Sequence, residues 1–213
     1  MSVYEFSLIV FTSFFTLINP LALMPVFMSM TASMTVRQRN VTALKATLIS
    51  LAMLLVFAFA GQFIFKFFSI SIDSLRIVGG VIFFLVGFDM LQARFSRMKS
   101  SGETETEFSN DIAITPLAIP MICGPGSITN AIVLMEDSET FGYKMVLIGG
   151  LVAVMAITFV VLLSSGKLVK WMGDMGIKVM MRLMGLIVMI IAIEFFFAGL
   201  KPLLLEILNK VQL

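Results

Sequence analysis

Long uncharged runs alternate with short polar joints along this chain. Uncharged residues fill Phe6 to Val36, Ala46 to Phe65 and Ile112 to Met135. Three further apolar stretches lie at about 70–91, 145–165 and 179–200, the first with Asp73, Arg76 and Asp89 near its ends. A hydrocarbon core of about 30 Å takes about 20 helical residues. The pattern therefore predicts an all-α membrane protein with six transmembrane helices, at about 6–30, 46–66, 70–91, 112–135, 145–165 and 179–200. Residues 92–111 (QARFSRMKSSGETETEFSND) form the one extended polar segment, read as a flexible solvated linker between halves. Those halves are 1–91 and 112–200. Lys201-Pro202 ends the sixth span, and 201–213 reads as a short amphipathic tail along the interface.

Two of the spans carry helix breakers in mid-run. Asn19-Pro20 lies about 20 Å along its helix from Phe6, and Gly124-Pro125-Gly126 about 18 Å from Ile112. Pro125 has no N–H and crowds the carbonyl of Met121, and its two glycines remove the steric reason to stay helical. Gly124 reads as an N-cap and Pro125 as the first residue of a new half-helix. The N–H groups of Gly126, Ser127 and Ile128 would then point into the membrane interior. Open backbone at that depth is tolerated where protein or a watery cavity surrounds it. Discontinuous helices of this kind build substrate sites in secondary transporters; the plainer reading is a proline kink used for packing.

The halves repeat each other. A shift of 105 positions places Asn19-Pro20 on Gly124-Pro125 and Gly61 on Gly166, and a shift of 106 places Arg76 on Arg182 and Gly79 on Gly185. Asp89 lands within one position of Glu194. Three spans per half make the copies run oppositely through the membrane, so the expected architecture is two inverted three-helix repeats with discontinuous helices 1 and 4.

Composition agrees and removes whole classes of chemistry. Of 213 residues 59% are hydrophobic and 13% charged, against about 25% charged in soluble domains. With no histidine and one cysteine, Cys123, serine–histidine and cysteine–histidine nucleophiles, histidine metal sites and disulfides are excluded. A rhomboid-type protease would need the missing histidine. A presenilin-type protease would want Gly-x-Gly-Asp, where Gly87-Phe88-Asp89 supplies one glycine. No enzyme, no cofactor and no metal site is expected. No basic tract suggests nucleic acid. The N-terminus MSVYEF lacks a signal-peptide n-region, so the first span reads as retained. Of 15 Lys and Arg, ten fall on the side of the 92–111 linker and five on the other. The positive-inside rule thus puts the linker in the cytoplasm and both termini outside the cytoplasmic (inner) membrane.

At the two breaks the chain resembles the MarC family of small bacterial and archaeal integral membrane proteins. The resemblance rests on FTLINPLALMPVF (Phe15 to Phe27) and TPLAIPMICGPGSIT (Thr115 to Thr129), and extends to span number and linker position. That family was named for a link to multiple antibiotic resistance and includes members that transport small neutral amino acids. The resemblance implies a secondary active transporter of such solutes by alternating access. A drug or other small-metabolite efflux carrier and a non-transporting membrane subunit are the alternatives. H+ and Na+ are the candidate coupling ions, the bilayer and a small-molecule substrate the expected partners, with a homo-oligomer compatible.

The candidate substrate-binding residues are Thr16, Asn19, Pro20, Gly124, Pro125, Gly126, Ser127, Thr129 and Asn130. Thr12, Thr16 and Asn19 make one polar stripe approaching the first break, and Cys123, Ser127 and Asn130 a matching face at the second. N–H groups after Pro125 or Pro20 would hold a carboxylate. Asn19, Ser127, Thr129 and freed carbonyls of Thr16 and Met121 would receive an ammonium or cation. Small residues at both breaks suit a small side chain. The competing role of each hydroxyl is a hydrogen bond back to its own helix. Arg76, Asp89, Arg182 and Glu194 are the candidate gating or coupling residues, as Asp89–Arg182 and Arg76–Glu194 cross-half pairs, or as charges that snorkel to the interface.

Overall fold

The structure, a computed structural model, describes residues 2–31, 34–92 and 113–211, and all regular structure among them is helical. Helices α1 (Val3–Ile18) and α2 (Pro20–Met30) are followed by α3 (Val36–Phe67) and α4 (Ile72–Leu91). After the linker, which lies outside the described residues, come α5 (Ala113–Ile122), α6 (Pro125–Glu136) and α7 (Phe141–Val211). Five stretches are long and apolar enough to cross a membrane: Val3–Met28, Val36–Phe67, Ile72–Leu91, Phe141–Gly166 and Lys178–Leu205. A sixth is added if α5 and α6, bent by 57° at their junction, count as one span.

Local chemistry sets several boundaries that uncharged runs alone misplace. The second helix starts at Val36, ten residues before its apolar run, because Thr35 and Gln38 form a capping box. Charge-free stretches mark the bilayer slab, whereas caps mark where the helix begins. At Gly173 the backbone turns through φ 65°, a left-handed conformation that glycine takes without steric cost; it divides α7 into arms 141–172 and 174–211. Pro202 does not end the second arm, which is helical to Val211.

Packing follows side-chain size rather than polarity. The buried face of α3 is mostly small (Ala43, Ala46, Ser50, Ala58, Gly61, with Leu54 and Phe65 the large exceptions), while Leu48, Val56, Phe59 and Phe63 are exposed. Small residues let backbones approach where lipid removes any hydrophobic drive between helices. The same device joins α4 to the second arm of α7. A Cβ on Gly80 would lie 2.7 Å from the Ala192 carbonyl oxygen, and one on Gly87 2.8 Å from that of Gly185. Farther along, Gly199 abuts the Asp73 backbone, so the two helices run antiparallel in close contact. α3 packs on α5 and α6 through Ser50 against Ala118 and Gly61 against Ile132. The first arm of α7 packs on α1 through Gly150 against Val10 and Tyr143 against Phe6.

Candidate functional site

Between α1 and α2 the helix stops at Ile18 and restarts at Pro20, and Asn19 bridges the gap with φ 46° and ψ 68°. Asparagine is among the few non-glycine residues that visit this left-handed region. Its N–H donates to the Phe15 carbonyl (2.9 Å), and its own carbonyl accepts from Ala22 (3.0 Å) and Leu23 (3.2 Å). The side-chain Oδ1 accepts from the Ala22 N–H as well (3.2 Å). Asn19 thus ends one helix and caps the next, so the donors after Pro20 are in part already used.

The second junction is built differently. Thr115 and Ile119 have extended backbones (φ −130° and −127°) inside α5. Each precedes a proline, Pro116 and Pro120, whose ring pushes the preceding residue out of the helical region. The Cys123 N–H reaches back five residues to the Ala118 carbonyl (2.8 Å), a wide turn that absorbs the irregularity. Gly124 is the N-cap and Pro125 the first residue of α6, with no side chain capping it. The Ile128 N–H donates to the Gly124 carbonyl (2.9 Å). That corrects the expectation of three free donors: Ile128 is used, leaving those of Gly126 and Ser127.

A cavity of about 190 Å³ lies where these junctions meet. Thr16, Asn19, Gly126 and Ser127 line it with Leu17, Ile18, Ala22, Leu23 and Met121. α4 contributes Phe83 and Val86, and the second arm of α7 contributes Ile187, Val188, Ile191 and Phe195. Among the described residues no charged side chain lines it. Thr16, Ile187 and Ile191 are exposed and mark its mouth.

The lining hydroxyls differ from most others in their bonding, although Thr129 and Ser165, off the cavity, are also unpartnered among the described residues. Thr12, Thr31, Thr47, Ser138 and Thr158 all donate to the carbonyl four residues back, at 2.7–2.9 Å. Thr16 and Ser127 have no hydrogen-bond partner among the described residues, and Ser127 is only 2% exposed. The Asn19 amide nitrogen is likewise unpartnered there, with its oxygen in the α2 cap. Buried polar groups are normally satisfied, so of these three the buried Ser127 hydroxyl is the one that calls for a ligand or water; Thr16 and Asn19 are more open.

The other candidates take different places. Pro20, Gly124 and Pro125 are buried and frame the junctions without lining the cavity. Thr129 is buried off the cavity with its hydroxyl unpartnered. The Asn130 amide nitrogen donates to the Ser13 hydroxyl at 3.0 Å, tying α6 to α1. Arg76 pairs with Asp73 on its own helix at 3.0 Å. Among the described residues neither Asp89–Arg182 nor Arg76–Glu194 is an ion pair, Arg182 and Glu194 are exposed, and none of the four lines the cavity. The apolar wall was invisible to sequence reasoning, because apolar residues cover both faces of α4 and of the second α7 arm.

The family described as MarC family integral membrane protein matches residues 4–204. A UPF0056 membrane protein of Methanocaldococcus jannaschii is 35% identical over 202 residues, covering 94% of this chain and 98% of that one. The UPF0056 membrane protein YvbG of Bacillus subtilis is 35% identical, covering 93% and 95%. YhcE of Escherichia coli, of the same description, is 34% identical, covering 93% and 94%. No solved structure matches the chain.

Proposed function

This chain belongs to the MarC family of integral membrane proteins, and from that premise we propose that it is a secondary carrier of small, net-neutral solutes. Small neutral amino acids are the substrates that fit best. The observation that carries the reading is the cavity between the two junctions, with unpartnered groups on Thr16, Asn19 and Ser127 and the uncapped start of α6. A wall without charged side chains penalises a solute of net charge, since an unpaired buried ion is costly. A zwitterion brings its own counter-charge: the N–H groups of Gly126 and Ser127 and the Asn19 amide nitrogen donate to its carboxylate, and the Thr16 hydroxyl oxygen accepts from its ammonium. An engineered cavity of roughly 150 Å³ takes benzene, so this one suits about six heavy atoms. Among the described residues no acid, base or activated nucleophile lines it, which favours transport over catalysis.

Alternating access needs two related halves, and the contacts of α4 with α7 support an inverted repeat. A shift of 105 carries Gly80 onto Gly185 and Gly87 onto Ala192. Gly80 meets Ala192 and Gly87 meets Gly185. In this register, one residue from that of Arg76 and Arg182, small residues thus stand at related positions of both helices, where a two-fold axis between the third helices would place them. In this reading α1–α2 and α5–α6 are the discontinuous spans, the protein sits in the cytoplasmic membrane, and both termini are outside.

The test is thermal stabilisation of purified protein by a panel of amino acids and lipophilic cations, followed by counterflow in proteoliposomes. Stabilisation by alanine, glycine or serine together with exchange of labelled solute is expected. Stabilisation by lipophilic cations alone would replace the substrate class with drug efflux, which the Phe83 and Phe195 rings in the wall would then explain. No stabilisation and no exchange would leave a non-transporting subunit.

A further inference from the structure

Beside its polar residues the cavity has an aromatic wall, whose two rings touch each other and the start of α6. Phe83 and Phe195 meet edge to face, with ring centroids 6.2 Å apart. Each also seats on a glycine beside Pro125: the Phe83 ring on Gly124 and the Phe195 ring on Gly126. Gly79, one turn before Phe83, receives the Pro125 ring itself. The two phenyl groups are therefore braced by each other and by backbone, unlike Ile187 and Ile191 at the exposed mouth.

We infer that Phe83 and Phe195 are the specificity-determining residues of this cavity, a rigid wall that caps the apolar part of the solute at about one or two carbons. This rests on the carrier reading for the identity of the solute but not for the wall itself. A solute with its carboxylate at Ser127 and Gly126 lies beside the Phe195 ring, because Phe195 packs on Gly126, and in the proposed pose its α-substituent meets that ring. A methyl or hydroxymethyl group fits beneath a braced ring. A branched or aromatic side chain requires the ring to leave both its glycine and its aromatic partner.

Two measurements test the wall. In the first, Phe195→Ala and Phe195→Leu proteins are compared with wild type for stabilisation by alanine and by leucine. Wild type is expected to respond to alanine at least ten-fold more sensitively than to leucine, and Phe195→Ala to remove or invert that ratio. Phe197→Ala, an exposed ring on the same helix, should leave the ratio unchanged. An unchanged ratio in Phe195→Ala and Phe195→Leu would overturn the inference while leaving the carrier reading intact.

The second measurement is independent of any amino acid. Cys123 is replaced by Ala and Ser127 by Cys, and the new thiol is titrated with methyl and benzyl methanethiosulfonate. The methyl reagent is expected to react and the benzyl reagent to lag at least ten-fold, a lag that Phe195→Ala or Phe83→Ala abolishes. Equal reaction of both reagents without the phenylalanine substitutions would show that no wall exists. If wild type binds no amino acid yet the thiol result holds, the wall stands and the substrate assignment falls.

Discussion

The two helix junctions occupy matching places in the sequence and solve the same problem in opposite ways. At Asn19-Pro20 the chain satisfies itself: one residue in a left-handed conformation closes α1, and its side chain caps α2. At Gly124-Pro125 the start of α6 has no side-chain cap, and neighbouring helices supply the fit instead, through Gly79, Phe83 and Phe195. A self-capped junction has few donors left to offer. An uncapped one, lined by an unpartnered serine, keeps two. The difference shows which half-helix keeps donors free, a question that the paired motifs alone leave symmetric.

The comparison breaks most readily at the socket for Pro125. A Cβ on Gly79 would overlap the Pro125 ring, and a proline ring cannot rotate away. Gly79→Leu is expected to cost about 3 kcal/mol, the upper end for overpacking, read as a lower midpoint of denaturant unfolding in micelles. A midpoint equal to wild type would mean that α4 does not clamp the second junction.

Asn19 allows a finer dissection. Asn19→Ala loses the cap and strains the left-handed backbone, together about 2–3 kcal/mol. Asn19→Gly keeps the conformation and loses only the side chain, a few tenths of a kcal/mol. Equal losses in the two variants, measured by the same unfolding assay, would show that the left-handed backbone is not what the position demands. Both should weaken solute binding, since both lack the carboxamide.

The smallest expected effect separates the two classes of hydroxyl. Ser127→Ala removes an unpartnered donor and should weaken alanine binding by about 1 kcal/mol, roughly five-fold, with little change in stability. Thr12→Val removes a hydroxyl already bonded to the Leu8 carbonyl on an exposed face and should leave binding within error and stability within about 0.5 kcal/mol. Titration of both by isothermal calorimetry checks the pair. Equal responses would erase the distinction between bonded and free hydroxyls on which the site rests.

The sequence by itself determined that the chain is helical, with runs long and apolar enough to cross a membrane. Backbone groups in lipid must bond within their own helix, so an uncharged run of sufficient length has one solution. Proline and glycine act through local sterics that need no neighbour, and Thr115-Pro116 and Ile119-Pro120 carried the same readable signal as Gly124-Pro125. Thr16, Asn19, Gly126 and Ser127 could be named because polar residues are few in apolar runs.

Tertiary structure alone decided which apolar residues line the cavity, which donors are spent, and whether the charges pair. In a membrane both faces of a helix are apolar, so hydropathy cannot distinguish Phe195, in the cavity wall, from Phe197, 59% exposed. Whether a hydroxyl bonds its own helix or stays free is a matter of rotamer and neighbours, which is why Thr12 and Thr16 read alike in the chain and differ in the fold. Arg76 had Asp73 within one turn of its own helix, and that short, local pairing formed in place of one across the two halves.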